Sequence, residues 1–475
     1  MKPAFFSFII LLLFAPLITH TQPITNYTGT WEGTLQAGAI NLRIVFHIKP
    51  DGKGGLISTA DSPDQSAYGF KCDSTIIKEN GITILMSSLQ ASFSGNLIND
   101  STIDGTFIQQ ADLPLLLKKT AFVKENKRPQ TPIPPFPYKT EEVIYGNTDQ
   151  SLRYGATISI PEGNAVYPAI VLITGSGPQD RDETIMGHKL FAVLADHLTR
   201  KGFIVLRVDD RGIGKSTGIF SEANSEDFST DVSSSVDYLL SRPETDKKKI
   251  GLIGHSEGGM IAPMVAVKRK DIDFIVLMAG PGVPIIDLMA AQNEAIARSS
   301  AVSEAAVKEI KPLFKKVVTA IMEAPDSTAA ITRVTGITEN WAADKSKELL
   351  TELNFETTQK RSDYIAEMIQ QFQSPWFRYF IRFNPGDYLE QLNCKVLALN
   401  GEKDIQVLSA QNLPGIESAL KKSKSALYNI AEMPGLNHLF QRCKKCTLDE
   451  YAGLEETISL TVLETISEWL LKNVK

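Results

Sequence analysis

Ile250-Gly251-Leu252-Ile253-Gly254-His255-Ser256-Glu257-Gly258-Gly259-Met260 is the stretch that decides how this chain of 475 residues folds. It opens on a short apolar run of strand length, and Met260 to Val267 beyond it reads as a helix. Between the two lies Gly-x-Ser-x-Gly, the pattern of a sharp strand-to-helix turn that presents a serine hydroxyl. A side chain at either outer position would collide with its neighbours, hence Gly254 and Gly258. Such a bend holds its serine in a strained backbone conformation. The following helix points its positive end at the site and favours negative charge developing there. The same five residues also occur in plain surface turns. The buried strand before and the helix after make Ser256 a candidate nucleophile.

Outward from this bend, strands alternate with helices. Glu142 to Ile160 reads as a hairpin around Asn147-Thr148-Asp149. Ala169 to Ile173 is a continuous apolar run, as expected of a parallel strand buried on both faces, and Phe203 to Val208 and Phe274 to Met278 read as further strands. Leu190, Phe191, Leu194 and Leu198 recur at helical spacing, and Phe228 to Leu240 is a second helix. Such alternation implies a mostly parallel sheet flanked by helices. It stops at about residue 284. From there to about 390 the chain is helical and strand-poor, too long for a bare loop, so a helical cap inserted over the sheet is expected. The sheet resumes at Val396 to Leu399 and near Ala426 to Ile430, and Ile458, Val462, Ile466 and Leu470 give a closing helix.

The nucleophile needs a base, and the chain has six histidines. His20 and His47 lie far upstream, and His188 and His197 precede the bend. His255 adjoins Ser256 and cannot turn back on it. His438, in Pro434-Gly-Leu-Asn-His438 after the last strand, is the one that follows. With a strand-to-helix elbow the order is Ser, then acid, then His. The acid should therefore end the penultimate strand, where Asn400-Gly401-Glu402-Lys403-Asp404 offers Asp404, with Glu402 in reserve. Two backbone donors must meet the oxyanion. One is the N–H of Glu257. The other belongs to Thr174-Gly175-Ser176-Gly177-Pro178, with the Ser176 N–H the candidate. Arg211, in Asp209-Asp210-Arg211, is read as an ion-pairing rim residue rather than a substrate contact. Asp209 to Ser216 lacks the spacing of a phosphate-binding loop.

The N-terminal third differs. Residues 25–124 read as all-β, with short partly alternating strands such as Ile40 to Ile48 between turn signals, giving a small barrel or sandwich. Pro129, Pro132, Pro134, Pro135 and Pro137 mark a stiff linker over 125–138, leaving 139–475 for the sheet-and-helix domain. Lys2 followed by the apolar run Phe5 to Ile18 is too short to span a ~30 Å hydrocarbon core. It suits a signal peptide over 1–21, cleaved around Thr21–Gln22. The expectation is an exported protein, periplasmic or extracellular, with no membrane span after cleavage. Net charge is −6, so no basic field exists to hold nucleic acid. Cys443-Lys-Lys-Cys446 lacks the further ligands zinc requires, leaving a local disulfide or two idle thiols.

With these residues in place, the region from about 140 to 475 resembles bacterial α/β-hydrolases of the serine aminopeptidase (S33-like) and dienelactone-hydrolase-like group. The resemblance rests on Thr174-Gly-Ser-Gly-Pro-Gln-Asp-Arg-Asp182, Asp209-Asp-Arg-Gly-Ile-Gly-Lys-Ser216, Gly254-His-Ser-Glu-Gly-Gly259, Leu399-Asn-Gly-Glu-Lys-Asp404 and Asn437-His438. It looks most like exported esterases with an extra N-terminal β domain. It implies a serine esterase acting on small-molecule carboxylic esters through an acyl-enzyme, more readily than a peptidase. Neither metal nor cofactor is expected. Two alternatives stay open: an exported serine aminopeptidase using Ser256, Asp404 and His438, and a binding protein on a silent hydrolase scaffold.

Overall fold

The computed structural model describes residues 24–475, apart from 38–39, 66, 79–80, 110, 122–125 and 301. The signal segment expected over 1–21 lies outside the described residues. The chain divides into two compact units, 1–124 and 125–475.

In the first unit nine antiparallel strands form one sheet. Ile40–Pro50 pairs with Gly29–Ala37 on one side and with Leu56–Ser62 on the other, which closes eight of the strands into a barrel. The ninth, Ala67–Lys71, is added at Leu56–Ser62. Closure leaves these eight without a free edge. Ile44, Phe46 and Ile48 point inward, against Trp31, Phe93 and Leu117. The Trp31 indole N–H donates to the Tyr27 carbonyl at 2.8 Å, so the largest side chain of this core buries no unpaired polar atom.

In the second unit eight strands form one sheet. Their order is Tyr138–Gly146, Arg153–Pro161, Ile204–Val208, Tyr167–Ile173, Thr245–His255, Ile272–Met278, Lys395–Gly401 and Tyr428–Met433. Arg153–Pro161 is antiparallel to both its neighbours, and the last six run parallel. Period-two alternation divides each buried strand between two cores. Ala169, Val171 and Ile173 face the helices Ser225–Ser241, Glu257–Lys268 and Ser409–Leu420. Ile170 and Leu172 face Leu190–Arg200 and Leu460–Asn473. Covering both faces explains the continuous apolar runs.

The sheet is interrupted after Met278 by helices from Ile285–Ser299 to Gly386–Leu389. Ser303, Asp326, Ser346, Thr357 and Ser374 each accept an N–H at the start of one of these helices. Such a cap contributes about 1 kcal/mol. The cap core, including Leu288, Phe314, Val317, Phe372 and Phe377, extends onto Met260 and Met264 of the helix that follows Ser256. The insertion is thus anchored on the helix that leaves the Ser256 bend.

The proline-rich stretch belongs to this second unit. Arg128 donates to the carbonyls of Met186, Ala452 and Leu454, and Gln130 to that of Ile458. Cys443 and Cys446 form a disulfide. Among the described residues no helix is long and apolar enough to cross a membrane.

Candidate active site

Thr245–His255 and the helix Glu257–Lys268 meet at Ser256, the only residue between them. Its φ of 53° lies in the left-handed region, costly for a non-glycine residue. The bend is held by the Ser256 N–H, which donates to the Met278 carbonyl of the adjacent strand at 2.8 Å. A Cβ on Gly254 would lie 2.0 Å from the Gly258 carbonyl oxygen, and one on Gly258 would lie 2.1 Å from that of Ile173. Both clashes are with backbone, which has no rotamer through which to yield.

Asp404 and His438 come together beside this bend. Asp404 Oδ1 accepts the N–H groups of Gln406 and Val407 at 2.7 and 2.9 Å, which fixes the carboxylate plane. Its Oδ2 accepts from His438 Nδ1 at 2.7 Å, with both side chains buried. This bond assigns the Nδ1 proton and leaves Nε2 as the lone-pair nitrogen. The His438 loop is set by Asn437, whose side-chain oxygen accepts from the Leu439 and Gln441 N–H groups. Among the described residues neither His438 Nε2 nor the Ser256 hydroxyl has a hydrogen-bond partner. Such contacts commonly tighten only when substrate arrives. Glu402 instead accepts the Gly435 N–H at 2.8 Å and pairs with Lys403, away from the imidazole.

The loop after Tyr167–Ile173 passes directly over Ser256: a Cβ on Gly175 would sit 3.2 Å from Ser256 Cβ. Thr174 Oγ1 donates to Asp210 Oδ1 at 2.7 Å, and the Gln179 N–H donates to Asp210 Oδ2 at 2.9 Å. Burial pushes the Asp210 carboxyl up to about 8, with the nearby Glu183 and Glu257 adding to the rise. The Gly175 N–H is consumed by Glu183 Oε1 at 2.7 Å. The Ser176 N–H has no acceptor among the described residues. Glu257 opens its helix, so its N–H has no intrahelical acceptor either. The Ser176 and Glu257 N–H groups are thus both left without an acceptor among the described residues.

Six further side chains, those of His255, Glu183, Glu257, Ser225, Trp376 and Asp210, surround the bend with contacts the sequence did not announce. His255 meets Glu183 at 2.9 Å. The buried Glu257 carboxyl accepts from Ser225 at 2.6 Å and from the Trp376 indole of the cap at 2.9 Å. Burial drives that carboxyl upward, against the pull of those hydrogen bonds. Asp210 and Glu183 stand in polar clusters that sequence patterns do not resolve into roles. Arg211 pairs with Asp231 at 2.8 Å and stays on the rim. Glu450 lies beside the Cys443–Cys446 bridge but accepts three backbone N–H groups there, from Lys444, Lys445 and Cys446, and both sulfurs are bonded. That leaves this cluster nothing to offer a metal ion.

A mostly parallel sheet broken by a cap, with a strained serine on its central strand-to-helix bend and an Asp–His pair beside it, decides the fold family. This chain has the α/β-hydrolase fold. Residues 187–354 match the family model of the serine aminopeptidases, S33. A stretch of 132 residues is 36% identical to the esterase EstD of Thermotoga maritima, covering 28% of this chain and 31% of that protein, less than a third of its length. Among solved structures, an esterase of Pyrococcus furiosus aligns at 14% identity and a TM-score of 0.41, over 71% of this chain and 92% of its own. Est1E of Butyrivibrio proteoclasticus, solved with ferulic acid, aligns at 16% identity and a TM-score of 0.39, over 68% and 96%.

Proposed function

We propose that this α/β-hydrolase cleaves carboxylic esters through an acyl-enzyme on Ser256. The observation that carries the reading is the buried Asp404–His438 pair, held at 2.7 Å, with the His438 ring 4.9 Å from that of His255, the residue before the strained serine. His438 Nε2 takes the hydroxyl proton as Ser256 Oγ bonds to the acyl carbon. The carbonyl electron pair moves to oxygen and is met by the Ser176 and Glu257 N–H groups, of the kind worth roughly 10²–10³ in rate each. Asp404 keeps the ring oriented and stabilises the imidazolium. As the tetrahedral adduct collapses, the Nε2 proton passes to the departing alkoxide and an acyl-serine remains. Water, deprotonated by the same nitrogen, then releases the acid and restores Ser256. The helical cap, tied to the elbow by Trp376, limits the size of the substrate. An oxidising compartment suits the Cys443–Cys446 disulfide, in keeping with export of the chain.

The decisive measurement is hydrolysis of p-nitrophenyl acetate by Ser256→Ala. Activity falls to background while the thermal melt is unchanged, and a fluorophosphonate probe labels only the wild type. Persisting activity in that variant refutes the assignment. A peptide substrate is the second reading. The match of residues 187–354 to the serine aminopeptidase model favours it. Comparing aminoacyl anilides with acyl esters separates the two.

A further inference from the structure

The mechanism above uses one imidazole–carboxylate pair, and a second lies directly behind it. His255 and Glu183 are 1% and 0% exposed, with Nδ1 2.9 Å from Glu183 Oε1. The other ring nitrogen, Nε2, is 3.1 Å from the carbonyl oxygen of His438. Both partners are acceptors, and a neutral imidazole has only one N–H. Glu183 Oε1 already accepts the Gly175 N–H at 2.7 Å. Glu183 Oε2 is buried with no partner among the described residues, so a proton carried there would have no acceptor. The arrangement is therefore satisfied by a doubly protonated His255 against a charged Glu183. Burial opposes charging the ring, but the adjacent Glu183 charge and its hydrogen bond prevail and raise the His255 pKa.

Three separate chain segments end on this pair. Glu183 holds Gly175, the neighbour of the Ser176 donor. His255 directly precedes Ser256. The His438 carbonyl belongs to the base itself. The turn presenting Glu183, whose φ is 48°, is set by Asp180, which accepts the N–H groups of Asp182 and Thr184. The His255 and His438 rings are 4.9 Å apart. When His438 takes the Ser256 proton, an unbalanced charge on His255 would oppose it; Glu183 balances that charge.

We propose that Glu183 and His255 are a positioning pair that registers the oxyanion loop and the His438 loop against the nucleophile. The proposal rests on the ester-hydrolase reading of Ser256, Asp404 and His438. Glu183→Ala leaves the Gly175 N–H and the His255 ring unpaired and lets the loop shift. It lowers kcat by roughly a hundredfold, the loss expected when an oxyanion donor is misplaced, with KM changed less than about twofold. Glu183→Gln keeps its oxygen at the Oε1 position for both the Gly175 N–H and the His255 Nδ1–H, and gives up only the charge that holds a second proton on the ring at Nε2. It recovers at least about tenfold of the lost rate. Imidazole ¹⁵N spectra supply a readout independent of turnover: the His255 ring is protonated at both nitrogens in wild type at pH 7 and at one nitrogen in Glu183→Gln. Equal losses in Ala and Gln, a loss carried wholly by KM, wild-type rates in Glu183→Ala, or a singly protonated His255 in wild type each overturn the proposal. If Glu183→Ala fails to fold, the spectra and Glu183→Gln decide alone. Full activity in Ser256→Ala sinks the underlying reading instead, whatever the Glu183 variants do.

Discussion

Replacing Asp404 by Asn isolates a single proton. In the wild type Oδ1 is committed to two backbone donors, Gln406 and Val407. Asn in the same rotamer keeps its oxygen on those donors and turns its NH₂ toward His438 Nδ1. An amide donates where a carboxylate accepted, so Nδ1 becomes the lone-pair nitrogen and the ring proton moves to Nε2. That nitrogen can then no longer take the Ser256 proton. A wrong tautomer of this kind costs about 10⁴ in kcat, which is about 5.4 kcal/mol of barrier at 1.36 kcal/mol per decade. Folding suffers little, because every hydrogen bond retains a partner; roughly 1 kcal/mol is the expected loss. The assay is steady-state hydrolysis of p-nitrophenyl acetate beside a urea-unfolding curve, with Glu402→Gln as control. Glu402 is an exposed cap on the Gly435 N–H and should stay near wild type. If Asp404→Asn folds and turns over within tenfold of wild type, or Glu402→Gln falls with it, the tautomer argument is wrong.

The remaining expectations concern the elbow and acid stability. Gly258→Ala drives a Cβ to within 2.1 Å of the Ile173 carbonyl oxygen, so the sheet or the helix must yield. A loss of at least roughly 3 kcal/mol and of all detectable hydrolysis is expected; wild-type values of the melting temperature and kcat would contradict it. His188 is held neutral, its pKa lowered to about 4 by burial and then by the charge of Arg128. Above pH 6.5 it is neutral folded or unfolded and contributes nothing. As pH falls, the unfolded chain binds the proton first, so stability is lost progressively toward pH 4, by up to roughly 3 kcal/mol. His188→Gln should flatten the decline of urea-unfolding midpoints over that interval, and an unchanged decline would assign it to other groups.

How much of this was legible in the sequence depended on whether the cause was local. The central strands declared themselves because a strand covered on both faces must be apolar throughout. Tyr428–Met433, an edge strand with partly exposed residues, read two residues early, near Ala426 to Ile430. The helix marked by Leu190, Phe191, Leu194 and Leu198 begins at Leu190 itself, because His188 and Lys189 pair back on Thr184–Ile185. Barrel and sandwich could not be told apart, since closure depends on the first strand meeting the last, Thr30 against Thr120, across a separation no local pattern encodes. Asp404 and His438 were within reach because so few histidines follow the elbow. Glu183 and Trp376 were not: their partners lie 72 and 119 positions away.

The two unspecified positions of Gly-x-Ser-x-Gly turn out to be as constrained as the glycines, for a geometric reason. Flanking a residue at positive φ, their side chains leave the bend on different sides. His255 goes into the sheet's second core, toward the Glu183 turn and the His438 carbonyl. Glu257 goes under the cap, to Ser225 and Trp376. A bend too tight to admit a side chain at Gly254 or Gly258 can be stiffened only through the residues between them. Each of these spends a buried polar side chain on a distant segment, which burial permits only where partners are supplied. One fastens the Glu183 turn and the His438 loop, and the other fastens the cap through Trp376. Substitution at either x position should therefore disturb different quantities, kcat for His255 and substrate preference for Glu257, although both sit one residue from the same hydroxyl.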